Sequence, residues 1–136
     1  MATPKGDELL ESSAVFSECR RYRYVLRRIW DRERPPAMFV GLNPSTADEV
    51  RNDPTVTRCI GYAQRWGAGG LIMTNIFAFR STDPNGLLAI EDPVGPLNNR
   101  WLKRLQKEAM IVIAADRKST RLNSSHSSVS RMPSSA

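Results

Sequence analysis

Histidine is almost missing from these 136 residues, and cysteine, aromatic side chains and long apolar runs are all scarce. The single histidine is His126, and the two cysteines, Cys19 and Cys59, have no metal-ligand spacing. A Cys/His zinc site, a Ser-His or Cys-His dyad and a disulfide framework therefore lack their raw material. No apolar run approaches the ~18 residues that span a bilayer. Met1–Glu11 is polar and has no signal-peptide apolar core. These absences point to a reduced, cytoplasmic protein with no membrane partner, no metal and no other cofactor.

What is abundant is positive charge. Twenty Lys and Arg stand against 14 Asp and Glu, a net +6, which ordinarily suggests a nucleic-acid partner. The charge is unevenly placed. Residues 116–136 read DRKSTRLNSSHSSVSRMPSSA, with eight serines and no hydrophobic periodicity. A natural Ser-rich tail is one reading. The other is a translated short-read sequencing adapter: one frame of such an adapter encodes Asp116–His126 and, after a gap where a barcode sits, Ser130–Ala136. The second reading makes the segment an artefactual disordered tail, to be set aside before the fold is considered. It holds four basic residues and one acidic residue, leaving 16 against 13 before it, so half of the +6 and the only histidine go with it.

The remaining chain divides into a polar lead-in, 1–18, and one domain, 19–115, of ordinary single-domain size. Tyr22, Tyr24, Leu26 and Trp30 fall mostly on alternate positions, a strand pattern closed by Pro35-Pro36. Ala37–Leu42, Leu71–Phe77 and Met110–Ala115 are short unbroken apolar runs, as in strands buried on both faces. Asp53 and Pro54 open a helix carrying Val56, Cys59, Ile60 and Ala63 on one face, with Gly67 as its stop. A helical turn is expected near Leu87–Ile90. A second helix is expected over Leu97–Met110, burying Leu97, Trp101, Leu105 and Ala109. Apolar strands alternating with amphipathic helices predict an α/β fold: three layers, α/β/α, around a mainly parallel sheet with the Tyr/Arg strand at its edge. A domain that stops on a buried strand is expected to be C-terminally truncated.

Two strand ends carry polar groups suited to a ligand. After the first apolar run comes Gly41-Leu42-Asn43-Pro44-Ser45-Thr46. Glycine admits a ligand close to the backbone, proline stiffens the turn, and Asn43 offers donor and acceptor beside two hydroxyls. An Asx turn that only caps the next segment fits the same residues. The second end is Thr74-Asn75-Ile76-Phe77-Ala78-Phe79-Arg80-Ser81-Thr82. Asn75 lies inside an apolar run where its amide needs partners, Arg80 can grip a phosphate, and Phe77 or Phe79 can stack on a base. The plainer reading is two core phenylalanines and an arginine paired to Asp83. Seven arginines between Arg20 and Arg34 suit a single-stranded nucleic-acid surface or, with Asp31 and Glu33 among them, a solvated sheet edge. Asp48, Glu49, Asp53, Glu91 and Asp92 show no acid/base or Mg²⁺ spacing.

Taken in order, YRYVLRRIW, VGLNPSTAD, DPTVTRCIGYAQRWGAGG, TNIFAFRSTDP and DPVGPLN resemble the bacterial and phage "domain of unknown function 1643" family, across about Tyr22–Ala115. That resemblance implies no established activity, and a C-terminal continuation ending in a histidine-proline pair that this chain lacks. The family is in turn similar to the uracil-DNA glycosylase-like superfamily. Gly41, Asn43 and Pro44 match its Gly-x-Asn-Pro motif, Asn75 sits at its second position, and Ser45 stands where many of those glycosylases have glycine. The likeness implies an N-glycosidic hydrolase when full length, with Asn43 orienting the attacking water and Asn75 reading a base held between the strand ends. Lacking the histidine, the chain itself is expected to have little activity. The alternatives are a non-catalytic nucleotide- or nucleic-acid-binding module, and a partner-binding domain in which the Asn-Pro loop only caps. The expected partners are accordingly a nucleobase, nucleotide or nucleic acid. Gly41, Pro44, Ser45, Asn75 and Arg80 are the binding residues and Asn43 the catalytic one.

Overall fold

Short runs of Ala, Met, Phe, Ile, Leu and Val with no polar alternation can be stable only where both faces are covered, and these runs form the middle of the sheet. The computed structural model of the chain describes residues 9–115 and 130–131. Its elements are β1 (Glu11–Phe16), β2 (Arg23–Ile29), β3 (Ala37–Gly41), α1 (Pro54–Arg65), β4 (Gly70–Asn75), a short 3-10 helix (Pro84–Ala89), α2 (Asn98–Leu105), β5 (Ile111–Ala114) and the two-residue β6 (Ser130–Arg131). The strand order is β1-β2-β4-β3-β5-β6.

The α/β class holds, but the expected mainly parallel sheet does not. The sheet is mixed: β1 runs antiparallel to β2 and β2 antiparallel to β4, while β3 is parallel to both β4 and β5. Connection length accounts for the difference. Strands joined through a helix can return parallel, whereas β1 and β2 are joined by a turn too short for a crossover and must be antiparallel. Arg20 takes φ 60 in that turn, and the Ser17 Oγ accepts a hydrogen bond from the Tyr22 N–H at 3.1 Å.

Two further expectations change with it. Residues 9–18 are not a loose lead-in, because Glu11–Phe16 forms the outer strand. The Tyr/Arg strand is consequently not an edge: β2 is paired on both sides and almost wholly buried. The expected artefactual tail falls on residues of which only Ser130–Arg131 is described, pairing in parallel with Ile113–Ala114.

Alternation along the central strands separates two cores. Ala37, Phe39, Leu71, Met73 and Ile113 pack with Val56, Cys59, Tyr62 and Ala63 of α1. Met38 and Ile72 face the other way, toward Leu105, Trp101 and Leu102 of α2. One helix thus covers each face of the sheet.

The local signals for α1 are realised closely. Asp53 Oδ1 accepts from the Val56 N–H at 2.9 Å, Pro54 occupies the first turn, and Gly67 leaves the helix at φ 78. Helix α2 is shorter than its apolar spacing predicts. Leu97 precedes it with 40% exposure, and the backbone N–H of Met110 donates to Pro36 O at 2.8 Å, drawing the chain into β5.

Gly69, between α1 and β4, packs against the β2–β3 connection. A Cβ there would overlap the carbonyl oxygens of Asp31 and Arg34. Gly69→Ala is expected to destabilise the fold by about 1–3 kcal/mol, the usual range for forced overpacking, read as a lower urea midpoint at unchanged slope. The thiols give a second test. Burial pushes Cys59 up to about 12, whereas the exposed Cys19 is lowered chiefly by its hydrogen bond with Ser17. Iodoacetamide at mildly alkaline pH should therefore alkylate Cys19 in the native protein and reach Cys59 only on unfolding.

Candidate functional site

The loop from Leu42 to Asn52 has no regular structure of its own, so whatever it presents must be held from outside. The support comes from β2. Arg28 is 1% exposed, and its guanidinium donates from Nε to Asn52 Oδ1 at 2.9 Å, from Nη1 to Arg27 O at 3.0 Å, and from Nη2 to Asp48 O at 2.6 Å and Arg51 O at 3.1 Å. Arg23, 3% exposed, donates from Nη1 to Ala47 O at 3.0 Å. The Ala47 N–H in turn donates to Asp53 Oδ2 at 3.4 Å, tying the loop to the cap of α1. Burial lowers the pKa of both arginines, Arg23 to about 10, so both remain cations at neutral pH.

Carboxylates complete the bracing. Asp48 Oδ1 accepts from the backbone N–H groups of Arg51 and Val50 at 2.8 and 3.0 Å, which lowers its pKa. Glu49 accepts both Nη groups of Arg20, at 2.8 and 3.0 Å, and is lowered by that bond. Neither acid is poised to donate a proton.

The braced loop leaves the carboxyl end of β3, where the chain's path divides. From β3 it passes through α1 to β4 on one side, and from β4 through α2 to β5 on the other. Open α/β sheets bind ligands at such switch points, beyond the carboxyl ends of the strands. Gly41 and Asn75 are paired in register there. A Cβ on Gly41 would lie 3.4 Å from Asn75 Nδ2, 3.2 Å from Met73 Cε and 3.6 Å from Ala115 O, so a side chain here would press on Met73 and the amide.

Asn75 is 2% exposed, and its side-chain Oδ1 is buried without a hydrogen-bond partner among the described residues. Such an atom forfeits about 1–3 kcal/mol of desolvation. A second orphan adjoins the same strand end. Asn98, fully buried, donates from Nδ2 to Asn75 O at 2.8 Å and Ile76 O at 3.1 Å, while its Oδ1 has no described partner. The exposed apolar side chains of Leu42 and Ile76 continue from the same two strands.

Asn43 is half-buried and does not form the expected Asx turn. Both hydrogens of its amide are used, on Pro44 O at 3.1 Å and Ser81 O at 2.7 Å, which leaves Oδ1 as a fixed acceptor. Pro44 is buried, its carbonyl also accepting from the Ser81 N–H at 3.0 Å, and Ser45 is half-buried beside it. Residues 41–45 and 75–81 thus run side by side.

Arg80 lies on the far side of that pair. Its guanidinium sits 4.7 Å from the Phe16 ring centre and donates to Arg20 O at 3.2 Å. The pairing with Asp83 is not formed: Asp83 caps the 3-10 helix through the Asn85 N–H. Phe79 packs edge-on against Tyr22, 5.7 Å between ring centres. Structure therefore unites Gly41 with Asn75 and Asn43 with Pro44, and sets Arg80 against the β1–β2 turn.

Sequence reasoning missed three residues: Arg23, Arg28 and Asn98. The arginines belong to the cluster read as solvated edge; β2 is instead paired on both sides, and the 47–52 loop receives their guanidinium groups. Asn98 stands in a polar stretch, Leu97–Arg100, with nothing to separate it from a surface helix start. Among the described residues no group of three or more His, Cys, Asp or Glu could hold a metal, and no helix is long and apolar enough to cross a membrane.

Comparison with known proteins gives one match, the family model described as "Protein of unknown function (DUF1643)", over residues 23–136. No curated protein and no solved structure matches.

Removing the brace should loosen the loop selectively. Arg28→Leu leaves three carbonyls and Asn52 without their donor and is expected to cost on the order of 3 kcal/mol. Amide exchange should accelerate most over residues 46–53. Arg27→Leu, which loses the part-exposed pairs with Glu108 at 3.2 Å and Glu11 at 4.0 Å, is the control and should cost less than about 1 kcal/mol.

Proposed function

We propose, for a chain that belongs to the DUF1643 family of proteins of unknown function, that the strand-end site binds a nucleobase-bearing ligand. The observation that carries the reading is the buried Asn75 amide with its orphaned oxygen, beside Gly41, where any side chain would press on it. A carboxamide presents a donor and an acceptor side by side in one plane, the complement of a nucleobase edge. A base edge would supply the missing partner, and Leu42 and Ile76 offer apolar surface to its face. The similarity of Gly41-x-Asn43-Pro44 and Asn75 to the uracil-DNA glycosylase-like motifs agrees in residue type and order.

A hydrolytic reading adds one step. Asn43 Oδ1 is an acceptor held by two donated bonds, which is what orienting a water against a glycosidic carbon requires. The non-catalytic alternative needs only Asn75 and the loop. Release of free base from uracil-containing oligonucleotides, lost in Asn43→Ala, supports the hydrolase. Binding without release supports the module.

The Asn75 reading has a sharper test in Asn75→Leu. Leucine nearly matches the amide in shape and removes an unsatisfied polar atom, so the melting temperature should stay level or rise. Affinity for ribonucleosides, titrated calorimetrically, should fall at least about tenfold, the equivalent of one lost hydrogen-bonded contact. A strongly destabilised variant, or one with unchanged affinity, would sink the proposal.

A further inference from the structure

Arg23 and Arg28 are buried to the same degree but satisfied very differently. Arg28 places its guanidinium among four acceptors. Arg23 makes one guanidinium hydrogen bond among the described residues, to Ala47 O at 3.0 Å, although the group carries five donors. No described carboxylate lies within ion-pair distance of it, whereas Arg20, Arg32 and Arg34 each have one and Arg27 has two. A buried cation without a counter-ion is costly to keep.

Arg80 has no described carboxylate partner either. Its backbone N–H donates to Arg21 O at 2.8 Å and the next N–H, of Ser81, to Pro44 O at 3.0 Å, which fixes residue 80 between the β1–β2 turn and the loop. The Tyr22–Phe79 bridge next to that contact keeps residue 80 beside the start of β2, where Arg23 stands. The Arg80 guanidinium lies over the Phe16 ring and spends one bond on Arg20 O at 3.2 Å, with no other described partner. Burial is the main influence lowering Arg23; Asp53 opposes it and Arg80 adds to it. Planar guanidinium forks of this kind match the oxygens of a phosphoryl group.

We propose that Arg23 and Arg80 form an anion subsite beside the 44–47 loop, and that the ligand of the strand-end site is a phosphorylated nucleotide. The first half stands on the arginines alone; the second rests on the nucleobase reading above. The base edge meets Asn75 and the phosphoryl group meets the arginines, with the clipped Asn43-Pro44 turn between them.

The test is calorimetric titration of the full chain at low salt with inorganic phosphate, the four ribonucleosides and their 5′-monophosphates. A monophosphate should bind at least about tenfold more tightly than its nucleoside, as charge-assisted bonds imply. Arg80→Gln, at a half-buried position whose loss leaves the core intact, should erase that advantage and weaken phosphate by a similar factor. Its affinity for nucleosides should stay within about twofold of the parent's, the change expected from lost long-range attraction alone. Arg23→Lys keeps the buried charge and removes the fork, and should weaken phosphate binding at a melting temperature close to the parent's. Phosphate binding that depends on Arg80, with no nucleoside bound, upholds the anion subsite and overturns the nucleobase reading. Equal affinity for nucleoside and monophosphate, or phosphate binding indifferent to Arg80→Gln, overturns the subsite itself.

Discussion

A guanidinium surrounded by carbonyl oxygens, in the interior of a sheet domain, is the constraint on which the rest of this structure turns. Arg28 reaches from β2 to Asp48, Arg51 and Asn52, and converts an irregular connection into a shaped one. The loop folds over the Arg28 side chain while β1 pairs along the outer edge of β2, so that strand is not a sheet edge. An arginine at a true edge would be hydrated and would hold nothing. Because it is buried, its hydrogen bonds act in a low dielectric, where each is stronger and each missing partner more costly. Loop, strand and outer strand thus form one interdependent unit.

On that frame the polar atoms at the strand ends divide into two classes. Asp53 and Asp48 have their bonding capacity directed at named backbone groups, and their work is to hold the chain in place; Asn43 spends its two N–H donors the same way and keeps Oδ1 as an acceptor. Asn75 and Asn98 are more deeply buried and each keeps an amide oxygen without a described partner, while Arg23 makes a single guanidinium hydrogen bond. Folded proteins rarely leave buried polar groups unpaired, and these groups lie at one end of one sheet, which is why the proposed ligand is placed there. Their chemistry is mixed: amide oxygens on one side, a cation on the other. A purely apolar ligand would satisfy neither.

Much of this was legible in the residues. Asp53-Pro54 and Gly67 bracket α1 because caps and stops are local chemistry. The apolar runs identify β3, β4 and β5 because burial on both faces tolerates little else, and Asn75 stands out as the one carboxamide inside such a run. The mixed sheet was not legible. Glu11–Phe16, ESSAVF, is polar enough to pass for a lead-in, and its strand character comes from pairing with β2, a long-range fact. Buried arginine was hidden for a related reason. The loop acceptors that make burial of Arg28 tolerable lie 20 to 24 residues along the chain, so residue type alone assigns it to the surface. Helix α2 was overextended because helical spacing continues past Leu105, while the sheet claims the backbone at Met110.

The peptide unit of Ala47 has a mechanical consequence. Its carbonyl is held by the Arg23 cation and its N–H by the Asp53 carboxylate, and that same carboxylate receives the first turn of α1. A rod gripped at both ends transmits displacement instead of absorbing it. One amide plane thus stands between the Arg23 cation and the start of a twelve-residue helix. Loop and helix are joined at a single carboxylate, which accepts from Ala47 with one oxygen and from Val56 with the other.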